Sequence, residues 1–173
     1  MASYDLRPEE LASLRALFEA SWADEEGFTE QDWDHAVGGV HFILEEGGGI
    51  ASHASVVERR IHTGGHELAT GYVEAVATWP NARGRGYGSE VMREVGEYID
   101  QTFQLGALST ARHGFYERLG WLLWKGPTFA RRGSELIRTD EEDGNILVRL
   151  TPTSPELDLS APIGCEWRSG DLW

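Results

Sequence analysis

Cysteine is almost absent from this chain of 173 residues: Cys165 stands alone. That excludes an internal disulfide, and no Cys/His spacing suggests a zinc site, so neither staple nor metal is expected. No apolar run approaches the roughly 18 residues of a membrane span. The opening MASYDLRPEE has neither the basic nor the apolar region of a signal peptide, so a cytoplasmic protein is the expectation. Basic residues are scarce too, 15 Lys and Arg against 29 Asp and Glu, for a net charge of −14. Such a charge repels nucleic acid and anionic membrane and attracts cations, although an acidic surface also serves solubility. At 40% apolar and 25% charged residues the balance is globular, and the length suits one domain, residues 1–173, with a full core.

Leu11, Leu14, Phe18 and Trp22 recur at helical spacing behind Pro8, which predicts an amphipathic helix over 8–22. Thr29 with Asp32 three residues on is a variant capping box, and it opens a second helix that runs through Trp33 to the Gly38-Gly39 stop. HFILEE, IASHASVVERRI and ELATGYVEAVAT then read as three strands. Gly47-Gly48-Gly49 and Thr63-Gly64-Gly65 are hairpin signals between them, giving an antiparallel meander. After Pro80 comes a Gly- and Arg-rich loop, then a helix whose buried stripe is Val91, Met92, Val95, Ile99 and Phe103. LGALST reads as a strand, GFYERLG as a short helix stopped by Gly120, and WLLW and NILVRL as strands. The stretch GPTFARRGSELIRTDEEDG reads as an irregular charged loop, and the tail from Thr151 shows no periodicity.

The loop Arg83-Gly84-Arg85-Gly86-Tyr87-Gly88, set between a strand and a helix, carries the clearest chemistry. The first N–H groups of a helix have no internal partner and point outward with the positive end of the dipole, so they suit an anion. Glycines let that backbone approach phosphate oxygens, and two arginines add charge-assisted donors. A nucleoside triphosphate loop would need Lys-Ser or Lys-Thr after its last Gly, which is missing. A dinucleotide fingerprint would need an early βαβ unit, which is missing as well.

Arg83, Gly86 and Gly88 form the pattern Arg-x-x-Gly-x-Gly, which resembles the acetyl-CoA signature of the GCN5-related N-acetyltransferases. The order of elements is similar over nearly the whole chain. That resemblance implies an α/β (α+β) fold with a mostly antiparallel central sheet flanked by helices. It also implies acetyl-CoA as cofactor, with its pyrophosphate on Arg83, Gly84, Arg85, Gly86, Tyr87 and Gly88. The strand before the signature splays from its neighbour in that superfamily and offers a freed N–H to the thioester carbonyl. Here the resemblance puts Val76 in that role, in contact with cofactor, and Tyr116 in the place of the tyrosine that protonates the thiolate. Glu74 shares a face with Val76 by the period of two. It could take the amine's proton, bind an ammonium group, or stand as an exposed carboxylate, and a base role would require burial to raise its pKa from about 4. Ser109 could touch substrate or the pantetheine arm, or simply end its strand. None of the six histidines is assigned a catalytic role.

Further segments, FTEQDWDHAVGG, GYVEAVAT, FQLGALST, FYERLGW with WKGPT, DEEDG and the ending CEWRSGDLW, resemble the aminoglycoside 2'-N-acetyltransferases. By that resemblance Asp32, Glu74, Ala75, Ser109, Glu142, Asp143, Asp171 and Trp173 line an amine site, with the tail 151–173 contributing to it. Each carboxylate could equally be a solvated charge. Gly27 stands where the family carries an aspartate before Phe-Thr-Glu, with Glu26 just upstream as part of the expected lining. The stretch from Ser109 to Tyr116 is shorter than the family's. The implied activity is acetylation of an aminoglycoside 2'-amine, conferring resistance, by a protein that forms homodimers. The alternatives are an acetyltransferase for a polyamine, cell-wall amino sugar or protein amine, or a binding protein without turnover.

Overall fold

A computed structural model describes residues 6–23 and 28–173. The chain falls into two compact units, one of residues 1–57 and 73–95, the other of residues 58–72 and 96–173. Helix α1 (Pro8–Ser21) starts as expected at its proline, with the Arg7 amide donating to the Glu10 carboxylate at 2.8 Å. Helix α2 (Glu30–Ala36) opens on the capping box: Thr29 N–H donates to Asp32 Oδ2 at 2.8 Å, and Asp32 N–H to the Thr29 hydroxyl at 3.2 Å. In the first unit, Leu14, Leu17 and Phe18 of α1 are buried with Ala36, Ile50 and Ala77, and Trp22, Phe28, Trp33 and Trp79 pack around them. Each fully buried leucine of this kind contributes about 1.5–3 kcal/mol.

Strands β1 (Val40–Glu46), β2 (Gly49–Thr63) and β3 (His66–Thr78) follow. Gly47 and Gly48 lie at φ 63° and 84°, and Gly64 and Gly65 at 56° and 80°. Two consecutive left-handed residues are what a two-residue type I′ hairpin turn requires, so both predicted hairpins form for the expected reason. Next come α3 (Tyr87–Thr102), β4 (Leu105–Ser109), α4 (His113–Glu117), β5 (Leu122–Leu123), β6 (Thr128–Arg132), β7 (Glu135–Arg138), β8 (Ile146–Leu150) and β9 (Ile163–Glu166). The hydrogen-bonded strand order is β5-β8-β4-β3-β2-β9-β6-β7, with β1 on β2. β4 pairs antiparallel with β8 and parallel with β3 over Thr70–Tyr72, and β6 pairs antiparallel with β7 and parallel with β9.

Two segments differ from the sequence reading. The stretch expected as an irregular loop holds the β6–β7 hairpin, and the tail contributes β9. Gly133, at φ 63°, sits first in the two-residue turn between Arg132 and Glu135, the position that favours glycine in a type II′ hairpin. In the second unit, Arg149 grips Asp100 with two bonds of 2.9 and 2.7 Å, and a Cβ on Gly96 would come within 3.0 Å of its guanidinium carbon. This bidentate pair joins α3 to β8.

Candidate active site

In the first unit, β3 ends in a 3-10 turn at Pro80–Ala82, and the glycine-arginine loop leads straight into α3. Gly84 and Gly86 lie at φ 81° and 87°, in the left-handed region, and a Cβ built on either would meet nothing within 4 Å. The first helical bond runs from Glu90 N–H to the Gly86 carbonyl at 3.0 Å, so the preceding amides form the open, positive end of α3. This backbone suits an anionic group such as a pyrophosphate: the space above both glycines is open. The arginines are engaged differently from the simple expectation of two free donors. Arg83 bonds the carbonyls of Thr78 and Ser21 at 3.3 and 3.4 Å and so holds the loop in place. Arg85 pairs with Glu46 at 3.1 Å, and the Tyr87 hydroxyl donates to the same carboxylate.

Eleven residues before this turn's Gly86, β3 departs from regular geometry. Ala75 adopts φ 47°, and among the described residues it is the one non-glycine residue with positive φ. For alanine this costs on the order of 1–2 kcal/mol, so other contacts must hold it. Side chains of β2 supply them. Ser55 donates to the Glu74 carbonyl at 3.3 Å, His53 Nδ1 lies 2.9 Å from the Ala75 carbonyl, and Ser52 donates to the Ala77 carbonyl at 3.0 Å. His53 Nε2 in turn lies 2.8 Å from His41 Nδ1. Both histidines are buried, and burial pushes His41 down to about 4 and His53 down to about 3. The alternation that was to put Glu74 and Val76 on one face is therefore interrupted between them. Glu74, Ala75 and Val76 are all half-buried. Asp32, in the same unit, spends one carboxylate oxygen on the Thr29 cap. Glu26 lies outside the described residues.

The second unit contains the other expected residues. Tyr116 is 8% exposed, edge-on to Phe115 with ring centres 4.8 Å apart, and burial pushes its phenol up to about 12. Ser109 donates to Glu142 at 2.7 Å, so these two are brought together. Asp143 is committed to the hairpin: its carboxylate accepts from Thr128 N–H at 2.9 Å and from Arg138. The Arg138 guanidinium, first among the causes, lowers its pKa to about 2. Trp173 is buried, and its indole N–H donates to the Thr139 hydroxyl, which donates to Thr128. Hence Asp143 and Trp173 join one network through Thr128 and Thr139. Arg59 secures the tail by donating to the Leu172 carbonyl at 2.7 Å and the Glu166 carbonyl at 2.9 Å. Asp171 is exposed.

Sequence reasoning did not single out Ser52, His53 and Ser55 as a set. Their signal was available: three polar residues inside IASHASVV, a run buried on both faces, must find polar partners. Among the described residues, His62, Glu67 and Glu166 form the one grouping of metal-ligand type. Glu166 is hydrogen-bonded to His62 Nε2, whereas Glu67 stands 3.8 Å from Nδ1 on the opposite side of the ring. No helix among the described residues is long and apolar enough to cross a membrane.

Residues 4–123 match the acetyltransferase (GNAT) domain family. An aminoglycoside 2'-N-acetyltransferase of Mycolicibacterium fortuitum is 42% identical over 164 residues, covering 92% of this chain and 82% of that protein. Among solved structures, a GNAT family acetyltransferase from Brucella melitensis, in complex with acetyl-CoA, superposes with a TM-score of 0.59 at 18% identity, covering 88% of this chain and 90% of that one. The GNAT family N-acetyltransferase YhbS of Escherichia coli, in complex with CoA, gives a TM-score of 0.61 at 11% identity, with coverage of 92% and 86%. The chain spans only 33% of a larger GCN5-related N-acetyltransferase from Kribbella flavida, at a TM-score of 0.56 and 21% identity. The three likenesses to solved structures concern the fold; the identity across the M. fortuitum enzyme and the domain match together mean that this chain belongs to the aminoglycoside 2'-N-acetyltransferase family of GNAT acetyltransferases.

Proposed function

We propose that the chain transfers an acetyl group from acetyl-CoA to the 2'-amine of an aminoglycoside, directly and without an acylated enzyme. The observation that carries the cofactor half of this reading is the Gly84 and Gly86 turn, left-handed and open above, at the head of α3. The substrate half rests on the 42% identity to an enzyme of that name. Acetyl-CoA, when bound, supplies an activated thioester. The amides opening α3 and the loop glycines hold its pyrophosphate, with Arg83 fixing the loop.

Acetyl transfer requires a neutral amine, donors for charge growing on the carbonyl oxygen, and a proton for the departing sulfur. The Val76 N–H is assigned as the donor to that oxygen. Glu74 binds the reacting ammonium or takes its proton, directly or through water. Tyr116, a phenol protonated at neutral pH, gives its proton to the thiolate. As the N–C bond forms and the C–S bond breaks, one proton thus leaves the amine and one reaches sulfur. Glu142, supported by Ser109, and Asp171 bind the remaining ammonium groups, while Asp32, Asp143 and Trp173 contribute from positions partly committed to structure. Glu26 and Ala75 complete the lining taken over from the family. A net charge of −14 favours approach of a polycation.

Removing one ammonium weakens a drug's hold on anionic ribosomal RNA, which makes such an enzyme a resistance factor. The reading places it in the cytoplasm, where acetyl-CoA is made, as a homodimer; light scattering tests the latter. Purified protein should release thiol from acetyl-CoA with aminoglycosides bearing a 2'-amine. Equal turnover on 2'-hydroxyl analogues, or turnover on polyamines alone, would contradict it.

A further inference from the structure

We infer that the buried His41–His53 pair is a positioning element that aims the Val76 amide by fixing the peptide group between Ala75 and Val76; this rests on the role given to Val76 above. A carbonyl oxygen only accepts, so the 2.9 Å contact requires His53 Nδ1 to carry the proton and donate to Ala75. In a neutral ring Nε2 then holds a lone pair. His41 Nδ1, 2.8 Å away, is placed to donate to it. The pair is neutral because burial disfavours its charge.

The Ala75 carbonyl and the Val76 N–H belong to one planar peptide, and no peptide among the described residues is cis. In a trans peptide these two groups point in opposite directions. Holding the carbonyl on His53 therefore points the Val76 N–H away from the histidines, and the bond polarises the amide into a stronger donor. The local sequence gives no help, since Ala75 sits at φ 47° without the freedom of glycine. Ser55 and Ser52 pin the carbonyls of Glu74 and Ala77 on either side, and His53 holds the carbonyl of the peptide between them. Phe18 packs on the His53 ring at 4.9 Å between centres and limits its rotation.

The test compares His53→Leu, which lacks a donor, with His53→Asn, whose amide N–H can stand where Nδ1–H stood. Donation to a developing oxyanion counts only in the transition state, so the loss should fall on kcat. His53→Leu should lower kcat about 10- to 100-fold, with KM for acetyl-CoA changed by no more than about twofold, and His53→Asn should recover most of that loss. In parallel, the Val76 amide resonance in a ¹H–¹⁵N spectrum should move in His53→Leu and return in His53→Asn. His41→Leu, which leaves the His53 ring in place, should give a smaller shift and an intermediate kcat. An unmoved Val76 resonance in His53→Leu, or in His41→Leu if the former does not fold, overturns the positioning role. A moved resonance with unchanged kcat leaves the positioning intact and overturns the assignment of Val76 as donor.

Discussion

The indole N–H of Trp173 donates to the buried hydroxyl of Thr139 over 3.0 Å, which ties the last residue of the chain to the strand end that follows the β6–β7 hairpin. Trp173→Phe keeps most of the packing and loses that bond, so it should cost about 1 kcal/mol in urea unfolding. Trp173→Ala should cost about 3–5 kcal/mol. Asp171, exposed two residues earlier, should behave differently: Asp171→Asn leaves stability within about 0.5 kcal/mol and raises KM for the aminoglycoside. A stability loss in Asp171→Asn without a KM change would reverse these assignments.

Gly86→Ala places a Cβ on a residue at φ 87° and over the open turn. KM for acetyl-CoA should rise at least about tenfold while KM for the aminoglycoside stays within about twofold, since the strain and the added atom both fall on the phosphate turn. Steady-state kinetics with each substrate varied in turn checks this, and the opposite split would remove the loop from the cofactor's site.

Tyr116→Phe removes the proposed proton donor and leaves the ring. Initial rates should show kcat lower by about 10²-fold with both KM values little changed. In unfolding experiments the same variant should abolish one feature of the parent. The parent's phenol is held near 12 against 10 when unfolded, so its contribution to stability is full below pH 10 and is lost as pH rises from there through 12.

His41 and His53 work in the acid direction. Their folded values of about 4 and 3 lie below the unfolded 6.5, so the stability they contribute is present above pH 6.5 and is lost as pH falls towards 4 and then 3. His53→Asn should reduce the slope of unfolding free energy against pH in that window by about 1.4 kcal/mol per pH unit, the equivalent of one proton. An unchanged slope would mean that His53 is not held neutral.

Glu142 and Asp143 are neighbours with different work. Asp143→Asn should lower the melting temperature by breaking the Arg138 and Thr128 bonds that tie the hairpin, with a small effect on KM. Glu142→Gln, whose carboxylate meets only the Ser109 hydroxyl among the bonds described, should raise KM for the aminoglycoside with little change in melting temperature.

Much of this architecture was legible because its causes are local. Gly47-Gly48 and Gly64-Gly65 dictate their turns, Pro8 and the Thr29/Asp32 box start their helices, and the spacing of Val91, Met92 and Val95 marks the buried face of α3. The hairpin at β6 and β7 was not legible from alternation. Thr128–Arg132 and Glu135–Arg138 lack a clean period of two, and β6 is held by distant partners, Asp143 and the strand at Ile163–Glu166. Only the Gly133-Ser134 turn announced it. The left-handed backbone at Ala75 had no local sign at all, because the residue is not glycine. The contacts that hold it come from Ser52, His53 and Ser55, about 20 positions earlier on the neighbouring strand. For the same reason the amine-site carboxylates could be named from sequence but not sorted. Whether a carboxylate is committed, as Asp143 is to Arg138, depends on contacts between segments.

Acetylation at the 2'-nitrogen is most directly tested by product analysis: turn over an aminoglycoside bearing several amines with acetyl-CoA, purify the product, and locate the acetyl group by NMR correlation between its carbonyl carbon and the sugar protons. A single acetyl group coupled through nitrogen to the 2' position is predicted. Acetylation at another amine, or no transfer at all, would contradict it.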